Sequence, residues 1–254
     1  MSHYLAILKK EILENLRTHK VLILLLVFFI FGVMNPLTAV FTPEILKTFM
    51  PEGMSITIPD PVALDSWAQF FSNVTQLGLI IVVILFSGIL GNEFSKGTLI
   101  NLITKGLSRT AVILAKFSSM VLLWTVSIAL CFLVTWGYTI YLFPGDTVTN
   151  LFPAVLLLWL FGVFLLALLL FTATLVKANY GCLLITGAVV VVGMLLGILP
   201  DAYKYNPMSL ASRNMGLLSG ETTLASLAPA IWITAGLILV WLVSSVLVFR
   251  KKEL

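Results

Sequence analysis

The chain has 254 residues, 60% hydrophobic and only 10% charged, with a formal net charge of +4. The 15 basic and 11 acidic side chains cannot clothe a soluble domain of this size, so the apolar surface faces lipid. Disorder, a coiled coil and a disulfide scaffold are excluded with it, since the two cysteines, Cys131 and Cys182, lie in apolar runs as reduced, buried hydrophobes.

At the start of the chain Leu5, Leu8, Ile12 and Leu16 recur at three- and four-residue spacing, opposite Lys9, Lys10, Glu14 and Arg17. This is the pattern of an amphipathic elbow helix lying in the membrane interface. The segment is too long for the basic region of a signal peptide and contains Glu11 and Glu14, so it is predicted to be retained. A bilayer core about 30 Å thick needs about 20 apolar residues in a helix. Six runs qualify, at about 21–41, 67–91, 111–143, 151–176, 180–199 and 227–249. The chain therefore reads as a single all-α, polytopic transmembrane domain over residues 1–254.

The outer loop at 42–66 carries Pro43, Pro51, Pro59 and Pro61, which remove backbone donors and are expected to stop any long helix. The third run exceeds the bilayer, so its first turns, with Lys116, project on the cytoplasmic side. Lys177, Ala178 and Asn179 separate the fourth and fifth runs, which form a tight hairpin. In the outer loop at 200–226, Met208, Leu210, Met215, Leu217 and Leu218 suit short helices dipping into the outer leaflet.

Six spans put both termini on one side of the membrane. That side, with the 92–116 segment and Lys177, holds 12 of the 15 basic residues, while the opposite loops hold seven of the 11 acids. By the excess of Lys and Arg in cytoplasmic loops, both termini are predicted to be cytoplasmic. The same placement explains the basic balance without a nucleic-acid partner.

The spans contain no Asp, Glu, Lys, Arg or His apart from Lys116. An ion-driven carrier, a proton pump or a channel usually places charges there, because they persist in a bilayer only for function. Asn35, Asn73 and Gln76 are the most polar side chains at membrane depth. They are the candidates for a translocation path, although hydrogen bonding between helices is their plainer use. A membrane-embedded enzyme lacks its parts too. The two histidines, His3 and His19, are both N-terminal, with no HExxH spacing, no paired carboxylates and no Cys/His cluster. No catalytic, cofactor-binding or metal-binding residue is expected. A GxxxxGK[ST] phosphate loop is absent; the nearest run, GNEFSKGT at Gly91–Thr98, has Lys and Gly reversed and follows no strand.

The segment NEFSKGTLINLITKGLSRTAVILAK, residues 92–116, stands out as polar and cytoplasmic. Leu99, Ile100, Leu102 and Ile103 suit one face of a short helix across residues 92–110, and Ser108 is placed to cap the third span. The order Glu93, Gly97-Thr98, Leu102, Ser108-Arg109 and Lys116 resembles the cytoplasmic signature of the ABC-2 type permeases, the membrane subunits of one class of ATP-binding-cassette exporters. Gly106 stands where that family commonly has Pro. The elbow, the six spans and Tyr205-Asn206-Pro207 before the last span agree with the resemblance.

The resemblance implies the ABC-2 exporter fold, with a coupling helix between the second and third spans that seats in a separate ATPase subunit. Glu93, Lys96, Gly97, Thr98, Leu102, Ser108, Arg109 and Lys116 would form or orient that contact, with the elbow helix beside it. ATP and magnesium would be bound by the ATPase, and this chain would carry no cofactor. Half a transporter implies a second copy or a sister permease as partner. The setting implied is the plasma or inner membrane of a bacterium. The uncharged spans point to a hydrophobic or amphipathic cargo, and small permeases of this kind export peptides or protect against peptide antibiotics. Lipid, sodium and drug export are the alternatives within the family.

Overall fold

A computed structural model of the chain describes residues 3–48, 60–95, 108–176, 178–199 and 201–251. The fold is all-α, with no strand among the described residues. Six helices are long and apolar enough to cross a membrane: Lys20–Ile45, Ala63–Glu93, Arg109–Leu142, Leu151–Leu175, Asn179–Leu196 and Leu224–Lys251. They are called the first to sixth spans here, and each overlaps a run expected from the sequence.

The N-terminal helix, His3–Arg17, ends at Thr18, whose hydroxyl donates to Glu14 O at 2.7 Å, and the chain turns through His19 at φ +59° into the first span. The helix of the first span continues to Thr48 with Pro36 and Pro43 inside it. Pro43 therefore does not end the helix as its chemistry predicts. A proline costs one ladder bond, and an apolar helix packed against neighbours tolerates that loss. Pro51 and Pro59 lie outside the described residues, and Pro61 sits in the extended lead-in to the second span.

The fourth span is the centre of the bundle. It is apolar all round and buries every residue from Phe161 to Leu170, as a helix without a polar face must. It touches the second, third, fifth and sixth spans, and the short helices Ser209–Ser212 and Asn214–Leu218 pack on it. Short helices were expected in that loop. Their apolar residues Met208, Leu210, Leu217 and Leu218 are buried within the protein instead of entering lipid.

Close packing has two focal points. The Trp124 indole of the third span donates from Nε1 to Trp159 O at 3.0 Å and lies so close to Gly162 that a Cβ there would fall 2.4 Å from the ring. The same ring meets Phe28 of the first span edge-on, with centroids 5.8 Å apart. Between the first and third spans, a Cβ on Gly32 would sit 2.8 Å from Val134.

The second span is not a uniform helix. Ala63–Asn73 is α-helical, Val74–Gly78 forms a π-helical turn in which Leu79 N–H donates to Val74 O, and the α-helix resumes over Leu79–Phe86. Such widened turns recur at functional sites.

Both termini lie at one end of the bundle. There Arg109 Nη1 donates to Phe249 O and Arg250 O at 3.1 and 2.8 Å, and Asn179 Nδ2 to Asn92 Oδ1 at 3.1 Å. At the far end the Asp146 carboxylate accepts from Ala63 N at 3.0 Å, and Asn150 donates to Leu217 O.

Candidate functional site

At the terminal end, five charges gather in a space the bundle mostly closes. Lys116 is 1% exposed and Glu93 4% exposed. The Lys116 ammonium stands 3.0 Å from Glu11 Oε1 and 3.0 Å from Glu93 Oε2. Lys10 Nζ lies 3.0 Å from Glu11 Oε1, 2.6 Å from Glu14 Oε2 and 2.5 Å from Glu93 Oε1. The cluster ties the N-terminal helix to the neighbouring ends of the second and third spans. Carboxylate oxygens of Glu11, Glu14 and Glu93 lie within 4.8 Å of one another, and the two ammonium groups sit among them, offsetting two of the three negative charges.

Burial works against the charged form of Lys10, but hydrogen bonds to Glu14 and Glu93 outweigh it and raise its pKa above the usual lysine range. Burial likewise opposes ionisation of Glu14, yet the bond from Lys10 prevails and lowers its pKa.

The N-terminal helix reaches this cluster with a face other than its leucine stripe. Ile7, Glu11 and Asn15 are buried, and Tyr4 donates its hydroxyl to Ser118 at 2.8 Å. Leu5 and Leu16 are 49% and 51% exposed, while Leu8 and Ile12 are half-buried. The apolar stripe thus lies mostly on the outside, and Lys10 and Glu14, expected on the solvated side, turn toward the cluster.

Of the residues given a coupling role, Lys96, Gly97, Thr98 and Leu102 lie outside the described residues. The others frame that segment. Glu93 is buried before it, Ser108 after it caps the third span by accepting from Ala111 N at 3.4 Å, and Arg109 binds the end of the sixth span. Burial of Glu93 and Lys116 leaves them able to orient a contact but not to make one. Glu11, their counter-charge, escaped the sequence reading, although a lysine inside an apolar run demanded one.

Within the bundle, Asn73 Nδ2 donates to Asn35 Oδ1 at 2.8 Å, Asn35 Nδ2 to Thr135 Oγ1 at 3.0 Å, and Thr135 to Gly32 O at 3.2 Å. Asn35 is wholly buried. This chain staples the first three spans, so Asn35 and Asn73 serve as interhelical hydrogen bonds. Gln76 parts from them. It lines a cavity of about 820 Å³ between the second and fifth spans, with Phe161 and Leu165 of the fourth span as its floor. Thr75, beside it on the π turn, lines the same cavity, and its buried hydroxyl has no hydrogen-bond partner among the described residues.

The family described as "Protein of unknown function (DUF2705)" matches residues 54–254. The chain belongs to the DUF2705 family. It is also similar to a Bacillus subtilis (strain 168) protein described as "Uncharacterized transmembrane protein YxlG", 24% identical over 227 residues that cover 87% of each chain. With six apolar spans and a transmembrane relative, this DUF2705 chain is a multi-pass transmembrane protein. The DUF2705 match takes in Glu93, Lys116 and the whole cavity lining, and begins after the N-terminal helix. What the arrangement offers chemically is a stiff charged frame at one end and a largely apolar groove with a few polar groups along the bundle.

Proposed function

We propose that this chain is the membrane-spanning subunit of an ABC-type exporter, working with a separate ATPase subunit and a second permease copy or sister. The observation that carries the reading is the frame around residues 96–107. The chain enters that segment from Glu93, locked to Lys116 and Lys10, and leaves it at Arg109, bound to the end of the sixth span. A push on the segment therefore reaches the N-terminal helix and three spans at once, which is what coupling to an ATPase requires. In this reading the charged end faces the cytoplasm of the cell, in keeping with its surplus of Lys and Arg. The ATPase supplies ATP and magnesium binding, and the cargo is hydrophobic or amphipathic, a peptide being the first class to try.

The test is native purification of the tagged chain in mild detergent with mass spectrometry of its partners. A stoichiometric ATPase carrying a phosphate loop is expected, together with ATP-dependent export that Gly97→Pro abolishes without loss of the inserted protein. A chain that purifies without an ATPase, and whose membranes show no nucleotide-dependent export, overturns the reading.

A further inference from the structure

The groove between the second and fifth spans has a polarity that runs along its length. Its walls are aliphatic, with Ile84 and Leu183 toward the terminal end. On the fifth span the lining runs from Leu183 to Met194, which at about 1.5 Å per residue is about 16 Å, the scale of an acyl chain, and it continues past the helix end to Gly197 and Ile198. Ile80 and Ile84 on one rim and Val191 and Ile198 on the other are also exposed on the surface of the bundle. An occupant can therefore enter sideways from the bilayer, without passing through water.

The far end is closed by the segment after the fifth span, and there the groove acquires a charge. Arg213 lines it, its guanidinium carbon 4.7 Å from the centre of the Tyr203 ring. The other cation of that cap, Lys204, is paired with Asp201 at 2.6 Å. Among the described residues no carboxylate lies within ion-pair distance of Arg213 and no Asp or Glu lines the groove. Deeper in, the Thr75 hydroxyl is unpartnered, and Gln76 adds an amide at a depth where water is scarce.

We propose that this groove binds one anionic lipid of the surrounding membrane, its head group held by Arg213 and its tail lying between the second and fifth spans. The contact with Tyr203 holds the guanidinium in place, and its planar fork of donors can take a phosphate or carboxylate in two-pronged fashion, where arginine outperforms lysine. Gln76 and Thr75 meet ester or hydroxyl oxygens of the same molecule. The inference concerns binding and does not depend on the exporter reading.

The test is native mass spectrometry of the full chain in detergent, offered phosphatidylglycerol or phosphatidylcholine with matched tails. The wild type is expected to retain phosphatidylglycerol about fivefold better, the worth of one cation near a membrane surface. Arg213→Gln abolishes that preference and Arg213→Lys keeps part of it. Gly187 lines the groove with nothing within 4 Å of where its Cβ would be, so Gly187→Trp fills the tail channel and is expected to reject both lipids. Equal retention of the two lipids by the wild type overturns the proposal, as does an Arg213→Gln variant that keeps the preference. So does lipid binding undiminished by Gly187→Trp. If Val191→Cys crosslinks two copies and lipid is then excluded, the groove belongs to a second copy and the proposal falls.

Discussion

Lys116 and Glu93 meet at 3.0 Å between the third and second spans at the end where the termini lie, each almost wholly buried. Taking two charges out of water cancels much of their attraction, so the pair adds little net stability, yet removing one partner strands the other. Glu93→Gln or Lys116→Met is expected to lower unfolding stability by about 3–5 kcal/mol. The exchanged double variant Glu93→Lys/Lys116→Glu recovers little, because it sets the new glutamate against Glu11. Thermal unfolding in detergent, read by fluorescence-detected size exclusion, checks both statements.

The docking of the N-terminal helix has a defined pH range. The lowered pKa of Glu14 contributes stability above its unfolded value of about 4.3, lost as pH falls through the folded one. The raised pKa of Lys10 contributes stability below its unfolded value of about 10.4, lost as pH rises through the folded one. Anisotropy of a fluorophore on Lys9→Cys, in a chain whose two native cysteines are buried, is expected to be flat between about pH 5 and 10 and to fall on either side. A steady slope across neutral pH would contradict this.

Gly162 is where the fourth span passes the Trp124 ring. Gly162→Ala forces the indole or the helix to move and is expected to cost about 1–3 kcal/mol. Gly137→Ala and Gly236→Ala, where nothing lies within 4 Å of the new Cβ, cost nothing by the same unfolding assay.

Asn35→Leu removes the middle of the hydrogen-bonded chain from Asn73 to Thr135 and leaves both neighbours short of a partner. Bonds of this kind in membrane proteins are worth about 0.6 kcal/mol and at most about 1.7 kcal/mol, which sets the expected loss. Gln76→Leu, on the groove wall, leaves stability unchanged in the same measurement.

The six spans were legible because lipid demands unbroken apolar runs, and the cap at Ser108 because its chemistry is local. Pro43 misled because a proline removes one ladder bond, which a helix already running can lose and still continue. Lys116 advertised a buried partner by its place in an apolar run, but which acid answered depended on how the N-terminal helix turned after His19. Its apolar stripe, left mostly exposed, does not tell which face meets the protein, since lipid and protein both accept leucine. The separation of Gln76 from Asn35 and Asn73 was not readable at all, for it follows from a widened turn that no residue type announces.

That turn sets the angular phase of half a span. A π turn carries one residue more than the α-helix it interrupts, and one residue is about 100° of rotation. Everything from Leu79 to Glu93 is thus rotated about the helix axis relative to Ala63–Asn73. Were Val74–Gly78 to relax into α-helix with its neighbours fixed, Glu93 would swing away from Lys116 and Gln76 out of the groove together. The membrane interior and the charged end of the protein are in this way geared to one another through a single surplus residue.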